Sequence, residues 1–159
     1  MTICLTMTMR LFKLENLMTT LDPFNLNRFL GAQESYYADA LKEIKQGYKQ
    51  SHWIWFIFPQ MRGLGRSPMA ENYGITSIEE AQAYLANPTL KKRLIEISTA
   101  LLKHKGESTA YEILGTLDAM KVRSSMTLFD QVIPNAIFAE VIDAFYNGER
   151  DEMTLELLK

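Results

Sequence analysis

Residues 52–74, HWIWFIFPQMRGLGRSPMAENYG, constrain the fold more than any other stretch of the chain. Trp53 to Phe58 are all β-formers, yet no second β-rich run exists to complete the backbone hydrogen bonds of such a strand. The run is also far shorter than the roughly 20 apolar residues that span a bilayer. The more consistent reading is a helix or tight helical turn, buried on nearly all sides, that delivers the chain to a turn containing Gly63 and Gly65. Trp53 and Trp55 point to different sides in either secondary structure, so at most one of them lines a pocket while the other packs inward.

The rest of the chain reads as a string of helices. Asp22 and Pro23 open the first, whose apolar residues Leu26, Phe29, Leu30, Tyr37, Leu41 and Ile44 keep a helical period until Gly47. Ser77 with Glu80 forms a capping box, and Asn87 with Pro88 ends that helix and caps the next, which runs to Gly106 with Leu90, Leu94, Ile97 and Leu101 on one face. ESTAYEILG, LDAMKVRSSMTLFDQVI and NAIFAEVIDAFYNG supply three more, the last with Ile137, Phe138, Val141, Ile142 and Phe145 inward, and a final turn or two follows Asp151. The expected fold is therefore all-α, a compact multihelical single domain of about seven or eight helices.

At 159 residues, 47% of them apolar, the chain is long enough to bury one sizeable core and short for two. Residues 22–159 are assigned to that single domain. Residues 1–21 read as a disordered or loosely docked tail, because MTICLTMTMRLFKLENL has early methionines, no lasting helical period and no cap; initiation at Met18 fits, and no secretory signal is recognisable. A net charge of −2 provides no global positive field for nucleic acid or for a membrane surface. The single cysteine, Cys4, rules out an internal disulfide framework, which suits a cytoplasmic setting.

Catalytic signals are sparse. His52 and His104 have no neighbours at ligand spacing, so neither a metal site nor a cofactor is expected; His104, among lysines at a helix end, reads as solvated. No nucleophile elbow, phosphate loop or dinucleotide fingerprint occurs, and GLGRS lacks the preceding strand and third glycine. Two constellations stand out. In QMRGLGRSPMA, Gly63 and Gly65 allow close backbone approach, Arg66 offers a planar fork of donors, and Ser67 with Pro68 looks like the start of a short helix; the plainer reading is a turn, a cap and a solvated arginine. In KVRSSMTLF, Lys121, Arg123, Ser124 and Ser125 fall within about one helical turn, as phosphate or carboxylate chemistry requires; the plainer reading is an ordinary helix whose serines bond back to the i−4 carbonyl. His52, Trp53, Trp55, Phe56 and Tyr73 either line a slot for a flat ring or belong to the core.

DPFNLNRFLGAQ, SHWIWFIFPQMRGLGRSPMAENYGI, EAQAYLANPTLKKRL and KVRSSMTLF, in that order, resemble the bacterial domain-of-unknown-function family 1810 (DUF1810) over about residues 22–158. The resemblance implies a compact multihelical fold and resolves the strand question toward helix. It carries no established activity. Its typical residues here are His52, Trp53, Phe56, Pro59, Gln60, Gly63, Gly65, Ser67, Met69, Tyr73, Lys121, Ser124, Ser125 and Phe129, with Val122 where leucine is usual. The label calpastatin, under which the family also circulates, does not suit this chain: such an inhibitor is disordered, repetitive and charged, whereas these helices are capped and apolar.

The resulting expectation is a pocket where HWIWFIFPQMRGLGRS meets KVRSSM, lined by His52, Trp53, Phe56, Gln60, Arg66, Ser67, Tyr73, Lys121, Ser124 and Ser125, that takes a small anionic ligand of the nucleotide or ADP-ribose kind. Aromatic rings would stack on a base and cations and hydroxyls would hold phosphates. His52 is the only candidate proton carrier if the protein is an enzyme. The alternatives are a protein-interaction module, or a homo-oligomer with the aromatic stretch at its interface.

Overall fold

The computed structural model describes residues 8–10, 13 and 21–159, so the tail expected over 1–21 lies almost wholly outside the described residues. From Asn27 onward the chain forms nine helices: α1 (Asn27–Gln46), α2 (Ile54–Ile57), α3 (Pro68–Tyr73), α4 (Ile78–Ala86), α5 (Pro88–Leu102), α6 (Ala110–Leu114), α7 (Thr116–Val132), α8 (Ile137–Tyr146) and α9 (Glu152–Leu157). The number slightly exceeds the seven or eight expected, since several are short capped turns. Among the described residues no helix is long and apolar enough to cross a membrane.

Local chemistry explains most boundaries. Ser67 Oγ accepts from Ala70 N at 3.1 Å with Pro68 at the first helical position, and Asn87 Oδ1 accepts from Thr89 N and Leu90 N ahead of Pro88. Thr109 and Glu112 make a reciprocal capping box. Gly47 closes α1 in a left-handed conformation, φ 82°. Asp22 does not start α1 directly; its carboxylate accepts from Leu26 N and Asn27 N across an intervening turn. Ser77 caps α4, but Glu80 leaves the expected capping box for Arg28 and Thr76.

The aromatic run is a single helical turn, α2, and Trp53, Ile54, Phe56, Ile57 and Phe58 are all buried. Its buried backbone is satisfied in part within the turn, by Ile57 N to Trp53 O and Phe58 N to Ile54 O, and in part by Gln33 of α1, whose Nε2 donates to Phe56 O at 2.8 Å. Burial within one chain removes these five side chains from any interface between copies, while Trp55 stays partly exposed. A β-like contact follows it. Arg62 N donates to Ile75 O and Ile75 N to Gln60 O, both 2.9 Å, forming an isolated parallel bridge between Met61 and Ile75.

Helix α7 is the axis of the core: every residue from Ser124 to Asp130 is buried, and α2, α4, α6, α8 and α9 pack against it while α1 packs on α5. Tyr84, Phe129 and Phe138 form a chain of ring contacts at 5.2 and 5.8 Å through its middle. In α8, Phe138, Val141 and Ile142 are buried as the sequence suggests, whereas Ile137 and Phe145 lie at the border. His104 is not solvated: its Nε2 is 2.7 Å from Ile44 O, because the carbonyls that end α1 lack intrahelical donors.

Candidate functional site

Glu43, near the end of α1, organises the loop that launches the aromatic run. Its carboxylate accepts from Gln50 N, from Ser51 N at 2.6 Å, from Ser51 Oγ at 2.5 Å and from Trp53 Nε1 at 3.1 Å. Burial alone would push its pKa up, but the Ser51 hydroxyl, the two backbone N–H groups and the Trp53 indole together hold it below the ordinary carboxylate value. His52 rides on this anchored loop, exposed and with no side-chain partner among the described residues.

The aromatic run, rather than the glycine-bearing turn, meets KVRSSMTLF, at Trp55 and Lys121. Lys121 Nζ stands 5.3 Å over the Trp55 ring and 3.5 Å from Asp118 Oδ1. Lys49 Nζ pairs with Asp118 Oδ2 at 2.8 Å and lies 4.9 Å over Trp53. Trp53 and Phe56 are buried, so neither ring is open for a ligand to stack on.

The rest of KVRSSM is occupied by the chain itself. Arg123 Nε donates to Glu149 O and its Nη2 to Arg150 O. Ser124 Oγ lies 3.2 Å from both Met120 O and Asp151 Oδ2, and Ser125, fully buried, finds no hydrogen-bond partner. These serines sit where α7 is covered on all sides, which explains their small size better than ligand contact does. At the glycine-bearing turn, Ser67 is used as a cap and a β carbon on Gly65 would come within 2.7 Å of Ala70 Cβ, so Gly65 lets the turn close on α3. The Gln60 Nε2 atom lies beneath that turn, and Arg66 is exposed with no partner among the described residues.

A cleft of about 510 Å³ opens on the other side of this segment, lined by Pro23, Phe24, Asn25, Arg28, Arg62, Asn72, Tyr73, Thr76 and Glu80. Arg28 forms its base. All five of its N–H groups are engaged: Nε on Asn72 O, Nη1 on Phe24 O and Asn25 O, Nη2 on Gly74 O and Glu80 Oε2. Glu80, buried, also accepts from Thr76 Oγ1 at 3.0 Å. Arg62 Nε donates to Glu71 O at 3.1 Å and lies 4.0 Å from Glu71 Oε2 in a loose, exposed ion pair, while its terminal nitrogens have no acceptor among the described residues. The Tyr73 ring is supported from behind by Phe56 at 5.2 Å and Phe29 at 5.9 Å, and its hydroxyl, like the carboxamides of Asn25 and Asn72, has no partner among the described residues.

A family model, described as protein of unknown function (DUF1810), matches residues 23–158. The chain belongs to that family. A DUF1810-like fold is also seen in a solved structure, the conserved hypothetical protein Rv1873 from Mycobacterium tuberculosis, which is 44% identical, with a TM-score of 0.83 over 86% of this chain and 98% of that one. No curated protein matches.

Of the residues expected at a site, Tyr73 alone lines this DUF1810 cleft; His52, Trp53, Phe56, Gln60, Arg66, Ser67, Lys121, Ser124 and Ser125 do not. Arg62 lies in the same QMRGLGRSPMA stretch, but Arg66, between Gly65 and Ser67, has the more conspicuous setting in the sequence. Asn25 and Arg28 stand in DPFNLNRFLGAQ and Asn72 in the aromatic-to-glycine stretch, but nothing local marks them as site residues; the Met61–Ile75 bridge and the Arg28 clamp bring them together.

Proposed function

We propose that the protein binds a small anionic ligand of the nucleotide or ADP-ribose kind in the cleft between the 22–28 turn and the 60–76 segment. The observation that carries this reading is the convergence of the terminal nitrogens of Arg62, the Tyr73 hydroxyl and the Asn25 and Asn72 carboxamides, none with a partner in the described chain, on a cleft of about 510 Å³. That volume lies in the range of small-molecule sites, about 300–1,000 Å³. An arginine fork suits a phosphate, and the rings of Phe24 and Tyr73 offer stacking area to a base. Arg28 supplies positive charge balanced by Glu80 and no free donor, which leaves Arg62 as the group that grips. His52 lies outside the lining, so the reading is one of binding and assigns no proton carrier.

Thermal-shift and calorimetric titration with ADP, ADP-ribose and ribose 5-phosphate test it. Stabilisation by the nucleotides that is lost in Arg62→Ala and kept in Lys121→Ala is the expected result. No shift with any of the three, or a shift that survives Arg62→Ala, rejects the site.

The interaction-module reading has one observation in its favour. Leu117, at 72% exposure, and Met120, at 57%, are large apolar side chains on the outer face of α7. Sedimentation of wild type against Leu117→Glu/Met120→Glu would show whether that face associates.

A further inference from the structure

The groups around the cleft limit how much negative charge it can receive. Two cations line it, Arg28 and Arg62. Arg28 is fully engaged, and Glu80 balances its charge at 2.8 Å while also accepting from Thr76 Oγ1 at 3.0 Å and Thr76 N at 3.4 Å. Arg62 has Glu71 against it, Nε lying 3.1 Å from Glu71 O and 4.0 Å from Glu71 Oε2, with the two side chains 48% and 58% exposed. Among the lining residues and their ion-pair partners the charges therefore cancel, Arg28 and Arg62 against Glu80 and Glu71. The remaining free polar groups, the Asn25 and Asn72 carboxamides and the Tyr73 hydroxyl, are neutral. An exposed pair at that distance is weak, so the terminal nitrogens of Arg62 are open to one phosphate while Glu71 keeps its place on the Nε side. Any further charge meets two carboxylates and, among the described residues of the lining, no free cation.

We infer that the cleft selects its ligand by charge: it takes a monophosphate, or an internal pyrophosphate whose phosphates are each singly charged, in preference to a terminal di- or triphosphate, and Glu71 is the residue that sets this limit. Both favoured groups carry a charge of about −2, whereas ADP carries about −3 and ATP about −4. Discrimination comes from the repulsive element, a carboxylate held beside the arginine that grips, and not from an added contact to the favoured ligand. The inference rests on the proposed binding reading and deepens it by naming the ligand class.

Calorimetric titration of the full chain with AMP, ADP-ribose, ADP and ATP, without divalent cations, tests the charge limit in wild type, Glu71→Gln and Arg62→Ala. Wild type should bind AMP and ADP-ribose about tenfold more tightly than ADP, and ATP more weakly still. The preference should narrow as ionic strength rises from about 0.01 M to about 0.15 M. In Glu71→Gln, a substitution at an exposed position that should leave the fold intact, the AMP-to-ADP preference should fall to about threefold, because the carboxylate is gone while Arg62 stays. ADP or ATP binding to wild type as tightly as AMP overturns the charge limit and leaves the nucleotide reading standing. A preference that Glu71→Gln leaves at the wild-type value, or that added salt does not narrow, overturns it as well. Binding of none of the four ligands, or binding that survives Arg62→Ala, rejects the site itself and the limit with it, a result distinct from a wrong order among ligands that do bind.

Discussion

Arg62 and Arg123 each stand in a stretch rich in hydroxyls and large apolar side chains, and each donates from Nε to a backbone carbonyl, Glu71 O in one case and Glu149 O in the other. Arg123 then places Nη2 on Arg150 O, and its neighbours Ser124 and Thr127 are taken up by Asp151. Arg62 adds only a loose ion pair with Glu71, Nε to Oε2 at 4.0 Å. The difference is made far along the chain: residues 149–151 return to cover the α7 motif, whereas among the described residues no segment takes up the terminal nitrogens of Arg62. A cluster of polar side chains is thus available for binding or already satisfied according to what the topology lays over it, and composition alone does not distinguish the two.

The strongest way to break the comparison is Arg28→Ala. It leaves Glu80 as a buried charge without its partner and should cost about 3 kcal/mol in urea unfolding, with loss of the cleft. A loss below 1 kcal/mol would mean that the clamp does not define the uncovered face.

The loop that carries His52 and Trp53 gives the next effect, as a dependence on pH. Because the folded state holds the Glu43 pKa below its unfolded value, the associated stability is complete above about pH 5 and is lost as pH falls below about 4.3 through the folded value. Glu43→Gln should destabilise at pH 7 by about 2 kcal/mol, since four donors then face a neutral amide, and should flatten the acid limb of the stability curve. An unchanged acid limb would show that other carboxylates dominate it.

Smaller effects sharpen the α7 side. Lys121→Ala removes a largely covered ion pair whose Asp118 keeps Lys49 as a partner, together with the contact to Trp55, and should cost about 1 kcal/mol while leaving any nucleotide-induced shift intact. Ser125→Ala removes a hydroxyl with no partner from a helix interior and should be neutral or stabilising by up to about 1 kcal/mol. A marked loss there would show that the hydroxyl has an acceptor in solution.

Helices with chemical punctuation were readable before the structure: Ser67–Pro68, Asn87–Pro88 and Gly47 all act locally, within a turn of the residue that signals them, whereas the box expected of Ser77 and Glu80 loses Glu80 to the distant Arg28. The single turn of α2 was foreseeable by elimination, since six β-forming residues without a partner strand have to satisfy their own backbone. The cleft was not readable in the same way. Tyr73 drew notice as an aromatic in a conspicuous motif, but Asn25 and Asn72 are separated by forty-seven positions and meet only because Arg28 ties carbonyls from both neighbourhoods to one guanidinium. Glu43 and His104 show the same limit, each looking like a solvated surface residue until its distant backbone partners are seen.

Gly74 brings a consequence of a different kind, one for mutational tolerance. Its φ of −64° suits any amino acid, so dihedral angles mark the position as freely substitutable. Yet a β carbon there would stand 2.6 Å from Arg62 Cβ, 2.7 Å from Arg62 Cα and 2.9 Å from Ala70 O, so even alanine has to force two backbones apart. In a saturation library position 74 should therefore rank among the least permissive, and a surviving variant should carry its damage at Arg62, on the strand of chain opposite the substitution.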